Sequence, residues 1–502
     1  MSKKNESPKT GENRRQFLKK TGTAAAAASL LKVPVYGANR APSVNVKGAN
    51  DRIVIGFVGV GGRGFGAHVR QMRQHAEGNN IAQAAVCDVS THRANHAKKF
   101  VSDNSEDKVE AYTDYRKVLE RKDIDAVLIA TGVYKTRDLQ GPGSGAEGIV
   151  RAIDYLTASN RKSFGDTVEE FESGRLNAAG KKVVVIGSGA TAVTIVPSMA
   201  DKAAHVTMLQ RTPTYYFSRP AKDGLANWLR KVLPAETAYK ITRWKNVTMQ
   251  DIGFKRARSK PEKVKDFLFK KIRAELGDKF DEQAFTPPYD PWDQRLCLVP
   301  DADLFRAMRE GRASIATGHI DKFEERGIRL KSGELVEADI IITATGLKLA
   351  MAGKIDVSIE GEPVKFEERF YYKGAMFSNL PNLSAVFGYL NASWTLRADL
   401  VSEYTCRVLN RMAEKGADLA TPVLPDDHGL EEDDIFDFSS GYIQRSKHIM
   451  PKNATAMPWR LNQEYVRDRK DMKTGAVEDG ILAFGKAKVA PDAKSETLEP
   501  AE

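Results

Sequence analysis

The sequence predicts an α/β chain: two Rossmann-like modules with parallel sheets, the second carrying a helical insertion. Three observations predict it. A short β-branched run, Ile53-Val54-Ile55-Gly56-Phe57-Val58, leads into Gly59-Val60-Gly61-Gly62-Arg63-Gly64. A second run, Lys182-Val183-Val184-Val185-Ile186, leads into Gly187-Ser188-Gly189-Ala190-Thr191-Ala192. Residues 219–285 are highly charged and lack strand-like alternation, which predicts a helical insertion over 219–290. A buried strand, a glycine turn and a helix form the βαβ unit that holds a dinucleotide.

In the first module each glycine has a separate task. Gly59 permits the tight turn, Gly61 lets backbone approach a pyrophosphate, and Gly64 lets helix pack on strand. The free N–H groups at the helix start favour the anion. The next strand, Ala84-Ala85-Val86-Cys87, ends at Asp88, which lies 88 − 64 = 24 residues beyond Gly64. An acid near ~20 residues on is the expected acceptor for a ribose diol. A further strand, Ala126-Val127-Leu128-Ile129, ends in Ala130-Thr131-Gly132. Gly59, Gly61, Gly64 and Asp88 therefore predict a site of NAD or FAD type.

In the second module Gly187, Ser188, Gly189 and Thr191 form the turn, and the helix runs through Met199. The next strand, His205-Val206-Thr207-Met208-Leu209, ends in Gln210-Arg211-Thr212, with no acid. Arg211 lies 211 − 189 = 22 residues beyond Gly189. A guanidinium in place of the acid suits a 2′-phosphate, hence NADP, with Thr212 beside it. A last strand, Asp339-Ile340-Ile341-Ile342-Thr343, ends in Ala344-Thr345-Gly346.

The organisation expected along the chain follows. Residues 1–45 are a leader and linker, 50–132 the first module, 133–181 a joint around Gly141-Pro142-Gly143-Ser144-Gly145, and 182–346 the second module. Residues 347–485 form a carboxy-terminal region, with a surface loop at the acidic, proline-containing 422–436, and 486–502 a disordered tail. In the leader, Arg14-Arg15-Gln16-Phe17-Leu18-Lys19 precedes a small apolar stretch from Ala24 to Leu31. That is the order of a twin-arginine export signal, which implies the bacterial periplasm.

The net charge of 77 − 66 = +11 sits mostly in the leader. Residues 1–50 carry ten Lys/Arg and two acids, leaving 67 − 64 = +3 for the rest. A body so close to neutral makes no case for a nucleic-acid partner. The cluster Lys255-Arg256-Ala257-Arg258-Ser259-Lys260 is expected to be a solvated helix face. Cys87, Cys297 and Cys406 stand far apart, which excludes a disulfide scaffold, a zinc ribbon and a cysteine-ligated cluster. His92 and His96 share a helix face with no acid ligand beside them, so no metal site is expected. No apolar run reaches the ~18 residues of a membrane span.

Three stretches resemble known families. Residues 50–131 resemble the nucleotide domain of the Gfo/Idh/MocA oxidoreductases through the Gly59/Gly61/Gly64 turn, Cys87-Asp88-Val89 and Tyr112-Thr113-Asp114-Tyr115-Arg116. The E-K-P motif with that family's catalytic lysine is absent. Residues 130–186 resemble the glutamate synthase small subunit through Ala130-Thr131-Gly132-Val133-Tyr134-Lys135, the Gly141–Gly145 joint and Asp154-Tyr155-Leu156-Thr157-Ala158-Ser159-Asn160-Arg161-Lys162. Residues 182–485 resemble Baeyer–Villiger flavin monooxygenases of the ethionamide-oxidising type. The carrying motifs there are Leu209-Gln210-Arg211-Thr212-Pro213, Pro291-Trp292-Asp293-Gln294-Arg295-Leu296-Cys297, Thr343-Ala344-Thr345-Gly346, Asn391-Ala392-Ser393-Trp394-Thr395-Leu396 and Pro458-Trp459-Arg460-Leu461-Asn462. Phe164-Gly165 of that family's fingerprint is present, but no His lies between His96 and His205.

The last resemblance implies an NADPH- and FAD-dependent monooxygenase. In that family a flavin peroxide made from O₂ oxygenates ketones or soft heteroatoms, so small-molecule substrates are implied. It places Arg295 beside the flavin as the cation that stabilises the anionic peroxide. It places Asn391, Ser393 and Thr395 at the segment that meets the flavin, and Thr345 and Gly346 at the nucleotide. The alternatives are an NAD(P)-dependent dehydrogenase of Gfo/Idh/MocA type and an inactive nucleotide-binding fusion.

Overall fold

β-Branched runs that bury both faces become the central strands of two separate parallel sheets, one in each of two units. A computed structural model describes residues 52–131, 136–294 and 296–487. The leader, Gly132, Arg295 and the chain after Ala487 lie outside the described residues. The two units are Met1–Ile129 and Ala130–Glu502.

The first unit runs β1 (Ile53–Val58), α1 (Arg70–His75), β2 (Ile81–Cys87), α2 (Thr91–Asn104), β3 (Glu110–Tyr112), α3 (Arg116–Leu119) and β4 (Ala126–Ile129). The sheet order is β3-β2-β1-β4, parallel throughout. The helix expected directly after the glycine turn begins as a wider π-helical segment, Gly64–Val69, before α1. Asp107 anchors the end of the sheet away from the turn. It pairs with Arg52 at 2.7 Å and Arg73 at 3.0 Å, and accepts the Gln83 N–H.

The second unit opens with β5 (Ile149–Arg151), α4 (Ala152–Ser163) and α5 (Glu169–Glu172). The segment expected as a joint thus supplies the edge strand and a helix of the second unit, because β5 pairs in parallel with the strand at Ile340–Thr343. Next come β6 (Lys182–Ile186), α6 (Ala190–Ala200), β7 (His205–Gln210) and β8 (Tyr216–Arg219). The insertion is helical: α7 (Gly224–Val232), α8 (Ala235–Ser259), α9 (Pro261–Leu276) and α10 (Glu282–Phe285). Pro261 at the first position of α9 starts it cleanly, since its missing N–H would have no partner there.

After β9 (Cys297–Pro300) and α11 (Asp303–Arg309), β10 (Ala313–Thr317) returns to the sheet. A three-stranded antiparallel meander follows: β11 (Ile320–Glu324), β12 (Gly327–Leu330) and β13 (Leu335–Glu337). The chain then enters β14 (Ile340–Thr343), completing a parallel sheet of order β10-β7-β6-β14-β5. Val183, Val185, Val206, Met208 and Ile342 are almost wholly buried in its main core. Each such side chain contributes about 1.5–3 kcal/mol of transfer free energy.

The carboxy-terminal region is built around α12 (Trp394–Lys415) and α14 (Tyr465–Thr474), with the single turn α13 (Gly441–Gln444) between them. Residues 422–436 depart from the expected surface loop. Glu432–Asp433 pair with Asn453–Ala454, and Ile435 and Phe436 are buried in an apolar cluster. Among the described residues, no helix is long and apolar enough to cross a membrane, and no group of three or more metal-ligating side chains occurs.

Candidate nucleotide-binding site

In the second unit, β6 lies between β7 and β14, so the chain leaves its carboxyl end where neighbouring connections diverge. Open α/β sheets bind ligands at that switch point. Gly187 takes φ +131°, a conformation that L side chains rarely adopt. A Cβ there would also overlap the Ala344 carbonyl, because β14 passes directly beside the turn. Gly189 is different. Its φ is −79°, it caps α6 without any side-chain hydrogen bond, and a Cβ on it would meet nothing within 4 Å. That open space over free helix N–H groups is the cradle a pyrophosphate fills.

The two glycines therefore predict two phenotypes. Gly187→Ala is expected to cost about 1–3 kcal/mol of stability, read as a lower urea midpoint. Gly189→Ala is expected to leave that midpoint unchanged and to weaken only the nucleotide, measured by calorimetric titration. Equal stability losses for both would show that Gly189 is a folding residue.

Hydrogen bonds tie the turn to the end of β7. Ser188 Oγ donates to the Thr212 carbonyl at 3.3 Å, and Gly187 N–H donates to the Leu209 carbonyl at 2.8 Å. Thr191 is exposed on the first turn of α6. Gln210, standing where an acid would bind ribose, is fully buried. Its Nε2 donates to the Ala284 carbonyl and to Thr317, so it fastens the helical insertion to the sheet.

Arg211 is exposed at the end of β7. Two further arginines enter here that sequence spacing did not indicate. Arg445, just past α13, has its pKa lowered first by burial and then by the positive charges of Arg137 and Arg211. Arg137 is fixed by its backbone. Its N–H donates to the Gly346 carbonyl at 3.1 Å, and its own carbonyl accepts from Thr345 Oγ1 at 3.0 Å. Thr345 and Gly346 thus act by holding Arg137. Among the described residues, none of the three guanidiniums has a carboxylate within ion-pair distance. Like charges gathered without an acid are suited to a doubly charged phosphate.

The first unit presents its own turn. Gly59 takes φ +84°, and its N–H donates to the Cys87 carbonyl at 2.8 Å. Gly64 is buried against the sheet. Asp88 is 8% exposed and accepts the Ser90 N–H at 3.0 Å. Its Oδ2 lies 3.9 Å from where a Cβ on Gly61 would sit, so the structure brings turn and acid together. Arg93 on α2, which spacing did not indicate, lies over the same turn, with Nη1 2.9 Å from that point. These residues fit the ADP half that NAD and FAD share.

The segment Asn391–Thr395 leads into α12. Ser393 caps that helix without a side-chain hydrogen bond to it; its hydroxyl lies 2.8 Å from Thr395 Oγ1. Asn391 Nδ2 donates to the Gln463 carbonyl, while its buried Oδ1 has no hydrogen-bond partner among the described residues. An orphan acceptor beside free helix N–H groups complements a flat ring edge that offers one N–H between two carbonyls. Trp394 is 39% exposed and packs on Phe387 with centroids 5.1 Å apart. Arg295 lies outside the described residues.

Parts of this chain are similar to known proteins. The family model described as pyridine nucleotide-disulphide oxidoreductase matches residues 40–248. The chain is 44% identical over 325 residues to a probable FAD-binding monooxygenase, AlmA, of Acinetobacter baylyi; the match covers 64% of each chain. It is 46% identical over 308 residues to the FAD-containing monooxygenase EthA of Mycobacterium tuberculosis, covering 61% of this chain and 63% of that one. The chain therefore spans a little under two thirds of the length of these relatives. A steroid monooxygenase bound to NADP superposes with a TM-score of 0.57 at 14% identity, over 86% of this chain and 99% of that one. OTEMO in complex with FAD and NADP gives 0.52 at 14%, over 75% and 87%. At that identity the two structures show a shared fold.

Proposed function

We propose that this chain is an NADPH- and FAD-dependent monooxygenase that oxygenates a small ketone or soft heteroatom with O₂. The observation carrying it is the Gly187–Gly189 turn on an uncapped helix start, with Arg137, Arg211 and Arg445 gathered at the same end of the unit. The relatives named as FAD monooxygenases support the oxygenase half of the reading.

In this reading Gly189 and the α6 N–H groups hold the pyrophosphate, and Arg211, Arg137 and Arg445 hold the 2′-phosphate. Gly59, Gly61 and Asp88 hold an ADP half of FAD, with Gly64 closing helix on strand. Within the second unit, the α12 start and Asn391 suit the pyrimidine edge of a flavin. When bound, the flavin takes two electrons from NADPH and activates O₂, which is chemistry no side chain supplies. Arg295 is proposed to stabilise the negative charge that develops there. We further propose a mosaic ancestry, with residues 50–131 from a Gfo/Idh/MocA-like domain and 130–186 from a glutamate synthase-like linker. The twin-arginine leader would direct the folded protein to the periplasm.

The visible spectrum of the purified full chain tests the function. A yellow protein that bleaches anaerobically with NADPH, and regains colour on adding O₂, is expected. A colourless protein that binds NADP but takes up no added FAD would overturn it in favour of a nucleotide-binding fusion or a dehydrogenase.

A further inference from the structure

The near-neutral body hides a strong asymmetry. Helices α7 to α9, residues 224–276, hold 14 Lys/Arg and 5 Asp/Glu, a net charge of +9. The rest of the chain after residue 50 therefore carries 3 − 9 = −6. Seven of the fourteen cations are ion-paired within the described residues, Lys245 with Asp223 and Lys255 with Asp251 among them, and the other seven are not. Among the described residues, Arg230, Lys231, Arg256, Lys260, Lys263 and Lys270 make no ion pair.

The same helices expose large apolar side chains in ordered stripes. On α7, Ala226 and Leu229 face inward, while Leu225, Trp228 and Val232 at i, i+3 and i+7 face solvent. Among its 25 residues, α8 buries only Ala238 and Ala257. Its Ile241, Trp244, Met249 and Ile252 are exposed, Trp244 to 70%. At about 100° per residue these four fall within an arc of about 140°. Lys245, Lys255 and Arg256 fall within the same arc. On α9, exposed Phe267 has Lys263 four residues before it and Lys271 four after, the latter 5.9 Å from the ring centroid.

A solvated helix face carries charge without tryptophan, and a buried face carries tryptophan without charge. Apolar stripes rimmed by long cationic side chains match a layered partner, with anions at its surface and hydrocarbon beneath. We propose that the α7–α9 insertion docks on the surface of an anionic phospholipid bilayer. Trp228 and Trp244 would sit at the headgroup boundary, and the lysines and arginines would meet the phosphates. This places the protein on a membrane with no spanning helix among the described residues, and it stands apart from the nucleotide chemistry.

Co-sedimentation of the full chain with vesicles tests it. Vesicles of phosphatidylglycerol mixed with phosphatidylcholine are expected to bind at least about tenfold more protein at low salt than pure phosphatidylcholine vesicles, and high salt should remove most of that gain. The double variant Trp228→Ser/Trp244→Ser and the triple variant Lys263→Glu/Lys270→Glu/Lys271→Glu should each lose about tenfold in partitioning. Unchanged far-ultraviolet circular dichroism and NADP titration would show that both variants fold. Brominated acyl chains should quench the wild-type fluorescence and not that of the tryptophan variant, which keeps Trp292, Trp394 and Trp459. Equal binding to neutral and anionic vesicles, or none to either, would overturn the proposal. So would anionic binding that survives loss of both tryptophans, which marks a simple polyanion site. A dimer that the tryptophan variant dissociates, without vesicle binding, would reassign the face to a second copy.

Discussion

Arg211→Ala is expected to weaken NADP⁺ binding about ten- to a hundredfold while changing NAD⁺ binding by less than about twofold. In the proposed reading the guanidinium meets only the 2′-phosphate. A charged hydrogen bond of about 1.5–3 kcal/mol corresponds to that loss. Arg445→Ala and Arg137→Ala should move NADP⁺ in the same direction. Arg445 has a further signature. Its pKa is lowered by burial and by its two like-charged neighbours, so the bound dianion relieves a repulsion that the free protein carries. Removing Arg211 in the free protein should therefore cost no stability. Calorimetric titration with both nucleotides separates the outcomes. A parallel loss for NAD⁺ and NADP⁺ would mean that Arg211 holds the turn. No loss for either would make it an ordinary surface arginine. Because titration needs no turnover, the result is informative whatever the flavin does.

Asp468→Ala is expected to lower unfolding stability by about 3–5 kcal/mol, the usual cost of leaving a buried charge without its partner. Asp468 on α14 meets Arg397 on α12 at 2.6 Å, and their side chains are 5% and 0% exposed. Tyr389 donates to the same carboxylate oxygen at 2.6 Å, and Asn462 donates to the other at 3.1 Å. The Arg397 guanidinium also lies 4.2 Å from the Tyr389 ring centroid. Burial pushes the Asp468 carboxyl above its ordinary pKa, against the pull of Arg397, Tyr389 and Asn462. The pair is thus held by geometry in a place where ions are costly. Among the described residues Arg397 Nε and Nη1 have no partner even with Asp468 present, so removing the acid leaves the cation with only the Asn462 carbonyl and the Tyr389 ring face. The double replacement Arg397→Met/Asp468→Leu should recover most of the lost stability, since an apolar pair of similar volume has no desolvation cost. Urea midpoints of the two variants and the wild type decide it. An Asp468→Ala midpoint within about 0.5 kcal/mol of wild type would mean that water reaches Arg397.

Much of the fold was legible along the chain because its signals are local. β-Branched runs at Ile53–Val58 and Lys182–Ile186, each closed by glycines, specify strand, turn and helix start within about fifteen residues of sequence. The lack of an acid after β7 pointed to Arg211 for the same reason. The helical insertion was legible from its missing alternation, although its charge was averaged away in the total for the chain.

Other features needed three dimensions. Residues 422–436 look like a loop by acid and proline content, yet Ile435 and Phe436 fill a core that only packing from distant segments creates. Ile149–Arg151 carries too little pattern to mark a strand, and β14 recruits it as a partner, 192 residues later by 341 − 149. Gln210 stands where an acid would be expected at the strand end, and its side chain is turned inward to the Ala284 carbonyl.

By itself the sequence determined two glycine turns on parallel sheets and the cation that follows the second, because backbone conformation and strand burial are settled by neighbours in the chain. Only the tertiary structure decided that Arg137 and Arg445 stand with Arg211, that Arg93 lies over Gly61, that Arg397 and Asp468 are buried together, and that α7–α9 turn charge and tryptophan to the same surface. Coulomb forces and desolvation act across space, and no spacing in the sequence encodes which distant charges the fold brings within their range.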